Sequence, residues 1–166
     1  MAESRSATGR STTTLERFYH APPEVVWELW TTKAGMESWW GPAGFATEVT
    51  EMDVRPGGRI VYLMSAVDPE VRAFVRSRGT PESTQSILTI HEVVRNRRLV
   101  TTNRVDFIAG VAPYEVGMTM ELEARPGGTR LLVTLDAMHD KGWTEMAVKG
   151  WESQLESLAR LLASNI

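Results

Sequence analysis

The groups able to move protons are few and far apart. The three histidines, His20, His91 and His139, lack the i, i+4 spacing that lets two imidazoles on one helix face hold a metal, so no metal site is expected. The absence of cysteine excludes disulfides, thiol nucleophiles and thiolate-held zinc or iron–sulfur groups. No Gly-Ser nucleophile elbow and no phosphate-binding glycine loop occurs, and Arg55-Pro56-Gly57-Gly58 reads as a turn. No cofactor is expected. His139 is the best acid–base candidate, because parity with Leu131, Val133, Leu135 and Ala137 would point it inward at a strand end, although a hydrogen-bonded structural histidine is the commoner outcome.

The apolar chemistry is richer. Four of the six tryptophans fall in one segment, Trp27, Trp30, Trp39 and Trp40. Each indole buries a large apolar surface and brings one N–H that wants a partner, so the cluster implies a core or pocket wall with some polar content. Met118 and Met120, with Met64 and Met146, would bring flexible thioethers toward the same interior. Methionine tolerates imperfect complementarity, which suits an adaptable apolar site as well as an irregular core.

Positioning these residues requires a sheet and a covering helix. Strands are expected over Ser11–His20, Phe45–Val54, Arg59–Val67, Gln85–Arg95, Arg98–Val105, Tyr114–Ala124 and Thr129–His139. Two hairpins turn on the same tetrad, Arg-Pro-Gly-Gly at 55–58 and 125–128, where proline presets φ and glycine supplies the positive φ; a third turns around Asn96-Arg97. In Tyr114–Glu123, Val116, Met118, Met120 and Leu122 share one face while Glu115, Thr119, Glu121 and Glu123 share the other. Pro22 and Pro23 suit a helix start. Val26, Leu29 and Trp30 give that helix one buried face, and Gly35 is expected to interrupt or end it, with a second short piece carrying Met36, Trp39 and Trp40. Trp143, Ala147, Trp151, Leu155, Leu158 and Leu162 form the stripe of a long C-terminal helix, the natural cover for an antiparallel sheet with one dry face.

Length and charge bound the rest. At 166 residues the chain suits one domain, here drawn as a mobile tail over 1–10 and a single domain over 11–166. A formal net charge of −3 gives no footprint for nucleic acid. With no apolar run long enough to span a bilayer and no secretion-signal pattern at the start, the expectation is no membrane insertion and a cytoplasmic location.

The ordered set Arg17-Phe18-Tyr19-His20-Ala21-Pro22, Val26-Trp27, Trp39-Trp40-Gly41-Pro42, Pro56-Gly57-Gly58-Arg59, Arg98-Leu99-Val100 and Gly150-Trp151 with Leu155 and Leu158 resembles the homologues of the activator of the heat-shock protein 90 ATPase, within the START-like or SRPBCC superfamily. The resemblance covers about Thr13 to Leu162. It implies an α+β helix-grip fold: a curved seven-stranded antiparallel sheet wrapped around a long C-terminal helix, with two short helices between strands 1 and 2. It also implies a cavity for a hydrophobic small-molecule ligand, lipid or aromatic, with Trp39, Trp40, Tyr62, Met64, Met118, Met120, Trp143, Met146 and Trp151 as candidate wall residues. Trp27, Leu155 and Leu158 read as packing.

Two departures from the family pattern stand out. Ile60 occupies a position where many relatives carry Trp, which removes an aromatic wall. Asp68–Ser83, with Arg72, Arg76 and Arg78 around Phe74 and Val75, is longer than the usual turn and is read either as a lid with a cationic patch or as a solvated loop. The leading functional reading is a carrier, sequestering protein or sensor for a hydrophobic or aromatic molecule. The alternative is a polyketide cyclase/aromatase- or hydrolase-like enzyme using the same cavity. The eukaryotic activators carry an additional N-terminal domain that this sequence does not contain, which argues against a chaperone partner and co-chaperone activity. The resemblance leaves a homodimer open.

Overall fold

The computed structural model describes residues 8–164. Seven strands appear in chain order, β1 (Thr12–Tyr19), β2 (Phe45–Met52), β3 (Arg59–Ala66), β4 (Ser83–Val94), β5 (Arg98–Val105), β6 (Tyr114–Arg125) and β7 (Gly128–Asp136). They form one antiparallel sheet in the order β1-β7-β6-β5-β4-β3-β2. Strands β2 to β7 are thus a meander of sequence neighbours, and β1 closes on the edge of β7, pairing Thr12 with Asp136 and Tyr19 with Thr129. Four helices accompany them, α1 (Pro23–Thr31), α2 (Lys33–Glu37), α3 (Pro69–Ser77) and α4 (Lys141–Ser164). The curved sheet, the two short helices between β1 and β2 and the long last helix make the helix-grip fold expected from the sequence.

The alternation in β6 is realised as expected. Met118, Met120 and Leu122 are buried on the side of the helices, while Glu115 and Glu123 are exposed on the other. Their register partners in β7 continue the dry face, with Leu135 opposite Met118 and Val133 opposite Met120. From the far side, α4 supplies Leu155, Leu158 and Leu162 to the same core.

The repeated Arg-Pro-Gly-Gly turn works in both places, with Gly57 at φ 85° and Gly127 at φ 83°. The glycine after each is demanded by crowding instead. A Cβ on Gly58 would meet the Asp53 carbonyl oxygen at 2.1 Å, and one on Gly128 would meet the Tyr19 carbonyl oxygen at 2.0 Å. Asn96 takes the left-handed conformation at φ 64° in the β4–β5 turn, as a tight turn there requires.

Three local expectations are corrected. The helix after Pro22 breaks at Thr32 and not at Gly35. Thr32 is extended, its hydroxyl donates to the Glu28 carbonyl at 2.8 Å and accepts from the Gly35 amide at 3.1 Å, so it closes α1 and caps α2. Gly35 sits inside α2 because a Cβ there would strike the Glu28 carbonyl oxygen at 2.5 Å and Leu29 Cα at 2.8 Å. Trp39 and Trp40 consequently lie past the end of α2. Second, the 68–83 segment, expected as a lid or a solvated loop, contains a helix, since Asp68 accepts from the Glu70 and Val71 amides and starts α3 with Pro69 in its first turn. Third, β7 ends at Asp136, so strand parity does not reach His139.

Of the expected tail, residues 1–7 lie outside the described residues. Thr8 and Arg10 touch the body of the fold: the Thr8 hydroxyl donates to Asp136 and the Arg10 guanidinium lies 4.2 Å from the centre of the Tyr114 ring.

Candidate functional site

The interior between sheet and helices is organised around Trp30, a residue absent from the expected wall. Its ring stacks on Trp151 at 5.7 Å with 20° between planes, and Trp39 and Trp40 pack against it at 5.0 and 5.3 Å. Trp40 extends the cluster to Trp151 at 5.2 Å and to Tyr62 of β3 at 5.9 Å, both edge to face. One aromatic group therefore ties α1, the chain after α2, β3 and α4 together, in the offset and perpendicular arrangements that aromatic quadrupoles favour. The sequence signal for Trp30 was present, since it falls on the buried face of α1 with Val26.

Trp39 and Trp40 differ in what their N–H groups do. The Trp39 indole donates to the Leu29 carbonyl at 2.7 Å, which makes it a plug that anchors α1. The Trp40 and Trp30 indole nitrogens are buried with no hydrogen-bond partner among the described residues. Beside Trp40 lies the Tyr62 hydroxyl, whose pKa is pushed up by burial, with Trp40 and Ser86 next to it acting in the opposite direction.

Gln154 completes this polar group and was missed in the sequence. It is the one polar member of the helix face that carries Trp151, Leu155 and Leu158, a polar residue in an apolar stripe. Its amide oxygen accepts from the Gly41 backbone N–H at 3.1 Å. That bond fixes the amide orientation, and the NH2 group is left buried without a partner among the described residues. The Trp40 carbonyl next in the chain accepts from the Thr47 hydroxyl at 2.7 Å, so the backbone at 40–41 is held from both sides.

The sheet wall holds the methionines unequally. Met118 and Met120 are buried on β6, Met120 at 0% exposure, and Met64 packs half-buried against the core from β3. Thr101, opposite Met118 on β5, has a buried hydroxyl with no partner among the described residues. Met146 does not join them: at 65% exposure it faces outward from α4. Trp143 sits near the start of α4 against Phe107, itself 66% exposed, at 6.1 Å. The buried residues of α4 are Gln154, Leu155, Leu158 and Leu162, all in its C-terminal half.

His139 lies in the β7–α4 connection, outside the interior. Its Nδ1 is 2.8 Å from the Tyr114 hydroxyl, which also accepts from the His139 backbone N–H at 3.1 Å. The two bonds close on one residue and brace the connection. The arginines of α3 and of its C-cap are likewise engaged locally, Arg72 with the Ala66 carbonyl, Arg76 with Glu82 and Arg78 over the Phe74 ring. On the opposite, polar face of the sheet there is an open groove of about 890 Å³ lined by Thr89, Thr102, Thr119 and Thr134 with His91 and Asp136. No group of three or more acidic or histidine side chains able to hold a metal occurs among the described residues. No helix of the described residues is long and apolar enough to cross a membrane.

Comparison with known proteins agrees with this fold. Residues 20–163 match the family described as Activator of Hsp90 ATPase homolog 1-like protein. Among solved structures, a protein from Chromobacterium violaceum is 26% identical, with 91% of this chain and 96% of that chain covered and a TM-score of 0.75. A protein from Nitrosomonas europaea is 24% identical over 93% of this chain and 96% of that one, with a TM-score of 0.70. The AHSA1 protein from Silicibacter pomeroyi is 21% identical over 93% of this chain and 99% of that one, at a TM-score of 0.73. No curated protein matches the chain.

Proposed function

The chain belongs to the Activator of Hsp90 ATPase homolog 1-like family, and from that premise we propose that it binds a hydrophobic or aromatic small molecule between the sheet and α4, as a carrier, sequestering protein or sensor. The observation that carries the reading is the division of α4. Its C-terminal half buries Leu155, Leu158 and Leu162 against the core, whereas the half from Lys141 to Gly150 has no fully buried residue and reaches the core through the partly buried Val148. Below the helices, the interior strand β6 presents Met118 and Met120, side chains that adapt to imperfectly matched surfaces. A helix anchored at one end over an aromatic and thioether floor suits a ligand that enters at the free end, past Trp143 and Phe107.

Native mass spectrometry of the freshly purified protein, before and after incubation with fatty acids, sterols, flavonoids and aromatic polyketides, tests this. An adduct of defined mass is expected from at least one apolar class. A folded protein that takes up none of them overturns the reading and makes the interior a filled core.

A further inference from the structure

The antiparallel meander brings three hairpin turns to one end of the sheet, because β2, β4 and β6 all run toward it. Successive tips are two strand spacings apart, about 10 Å. Each has an arginine in or beside it, Arg55 in the first, Arg95 and Arg97 in the second and Arg125 in the third. Their pairing differs. Arg55 bonds to Asp53 at 2.8 Å and Arg125 to Glu123 at 3.0 Å. Behind the tips, Arg98 is shared between Glu92 at 3.1 Å and Glu121 at 3.2 Å. Arg95 and Arg97 are exposed, and neither has a carboxylate partner among the described residues.

The tip that carries these two arginines is held in place. The Arg97 amide donates to the Val94 carbonyl at 2.9 Å across left-handed Asn96, and the Arg97 carbonyl accepts from the Leu122 amide of β6 at 2.8 Å. Beside it, on the outer face of the sheet, lies a pocket of about 380 Å³ whose lining includes Val94, Arg97, Arg98, Glu121 and Leu132. Strand register sets its layout: Val94 is opposite Arg98, Arg98 opposite Glu121, and Glu121 opposite Leu132. The Arg98–Glu121 ion pair therefore lies between two apolar flanks, of which Val94 is 39% exposed. Arg97 belongs to both features, as a free cation and as a pocket wall. A pocket this small suits a side chain more than a whole cofactor.

These parts favour one kind of partner. A free guanidinium offers paired donors in a fixed plane that match a carboxylate, and two of them on one rigid tip match two carboxylates. A nucleic-acid strand brings a continuous row of phosphates, which would meet Glu92, Glu121 and Glu123 around the same spot, and an anionic bilayer meets the same repulsion over a wider area. We propose that the β4–β5 tip, with Arg95, Arg97 and the pocket between Val94 and Leu132, is a docking site for an acidic peptide segment of a partner protein. Carboxylates of the segment pair with the two arginines, and an apolar side chain between them enters the pocket. The site lies on the opposite face of the sheet from α4 and is independent of the interior ligand. The apolar side chain sets the register of the segment and the arginines select its charge, as in acidic-motif recognition by arginine clusters.

The test titrates a fluorescein-labelled pentapeptide, Glu-Glu-Leu-Glu-Glu, with the full chain and follows fluorescence anisotropy in about 50 mM salt, where exposed charges are little screened. The peptide is expected to bind, and the double variant Arg95→Ser, Arg97→Ser should weaken it by about tenfold or more, the worth of charge-assisted hydrogen bonds lost. The double variant Arg76→Ser, Arg78→Ser removes the same charge at the other end of the sheet and should leave affinity unchanged. Leu132→Ser should weaken the peptide several-fold yet have no effect on Glu-Glu-Ser-Glu-Glu, which has no side chain for the pocket. Circular dichroism melts show that each variant folds. Absence of binding at millimolar protein, an equal loss in the two double variants, or indifference of the leucine peptide to Leu132→Ser overturns the site as proposed. A short oligothymidylate and phosphatidylglycerol vesicles are run alongside, and tighter binding of either through Arg95 and Arg97 overturns the peptide assignment in favour of that partner.

Discussion

The Tyr19 hydroxyl donates a 3.0 Å hydrogen bond to the Leu155 carbonyl oxygen, joining the end of the first strand to the middle of the last helix across 136 positions of sequence. Both residues are buried, and the bond fixes where the anchored half of α4 meets the sheet. Tyr19→Phe keeps the ring and removes only this bond. It is expected to lower unfolding free energy by about 1 kcal/mol in urea denaturation. The bond also has a pH signature. Burial raises the Tyr19 pKa above its ordinary value of 10.0, so the folded state favours the protonated phenol. That stability is present in full below pH 10 and is lost as pH rises further, once the unfolded chain gains by ionising. The alkaline fall in stability should be shallower in Tyr19→Phe than in the parent protein.

Glu37 holds α2 to β2, since its Oε2 accepts from the Lys33 ammonium at 2.9 Å and from the Val49 backbone N–H at 2.8 Å. The Lys33 hydrogen bond first, and then the Val49 one, hold its pKa below the ordinary carboxylate value of 4.5. A depressed folded-state pKa means that the contribution is present above pH 4.5 and lost as pH falls below it. Denaturation midpoints measured between pH 3 and pH 7 should therefore fall on the acid side, and Glu37→Gln should flatten that dependence. An unchanged slope in the variant would show that Glu37 takes no part in it.

Gly35→Ala tests the α1–α2 joint. The new methyl would meet the Glu28 carbonyl oxygen at 2.5 Å and the Thr32 hydroxyl at 2.6 Å, and backbone cannot yield as a flexible side chain can. Ordinary helix propensity favours alanine, so a propensity argument predicts stabilisation. The contact predicts the reverse, a loss of about 1–3 kcal/mol typical of overpacking, read from thermal or urea unfolding.

Leu158 is fully buried where α4 meets the core. Leu158→Ala should cost about 2–5 kcal/mol of stability. At Met146, exposed on the same helix, substitution by alanine should shift stability by no more than about 0.5 kcal/mol. Parallel chemical denaturation of the two variants checks the contrast between the deeply buried C-terminal half of α4 and its more exposed N-terminal half.

Met118→Trp tests the ligand reading directly. The larger ring would occupy space on the dry face of β6, and affinity for an adduct found by mass spectrometry should drop by about tenfold or more, a penalty of about 1.4 kcal/mol or above. Unchanged affinity with a folded variant would place the ligand elsewhere.

Strand positions, hairpin tetrads and the long last helix were legible because each rests on short-range physics. Period-two alternation marks β6, Pro-Gly marks its turn, and the spacing of Trp151, Leu155 and Leu158 marks α4. The helix break was misread for a similar reason in reverse. Gly35 has low helix propensity, but its place is set by a contact with Glu28 seven residues earlier, and Thr32 has the hydroxyl that closes one helix and opens the next. α3 was signalled by Asp68 before Pro69, an N-cap pattern that the arginines around it obscured.

The sequence by itself determined the fold class, the sheet's dry and wet faces and the identity of the apolar residues that had to meet. Those properties follow from local period, turn chemistry and burial, which act between near neighbours or on one residue at a time. Only the tertiary structure decided which of those residues serve as packing and which retain unused chemistry. Trp39 and Trp40 are adjacent and alike in sequence, yet one indole is bonded to Leu29 and the other is left without a partner. Met118 and Met146 look equivalent in composition, yet one is buried and the other is exposed. Gln154 gains its meaning from Gly41, 113 positions away. Hydrogen-bond partners and exposure are properties of the closed fold, set by which distant segments are brought together, and no local pattern encodes them.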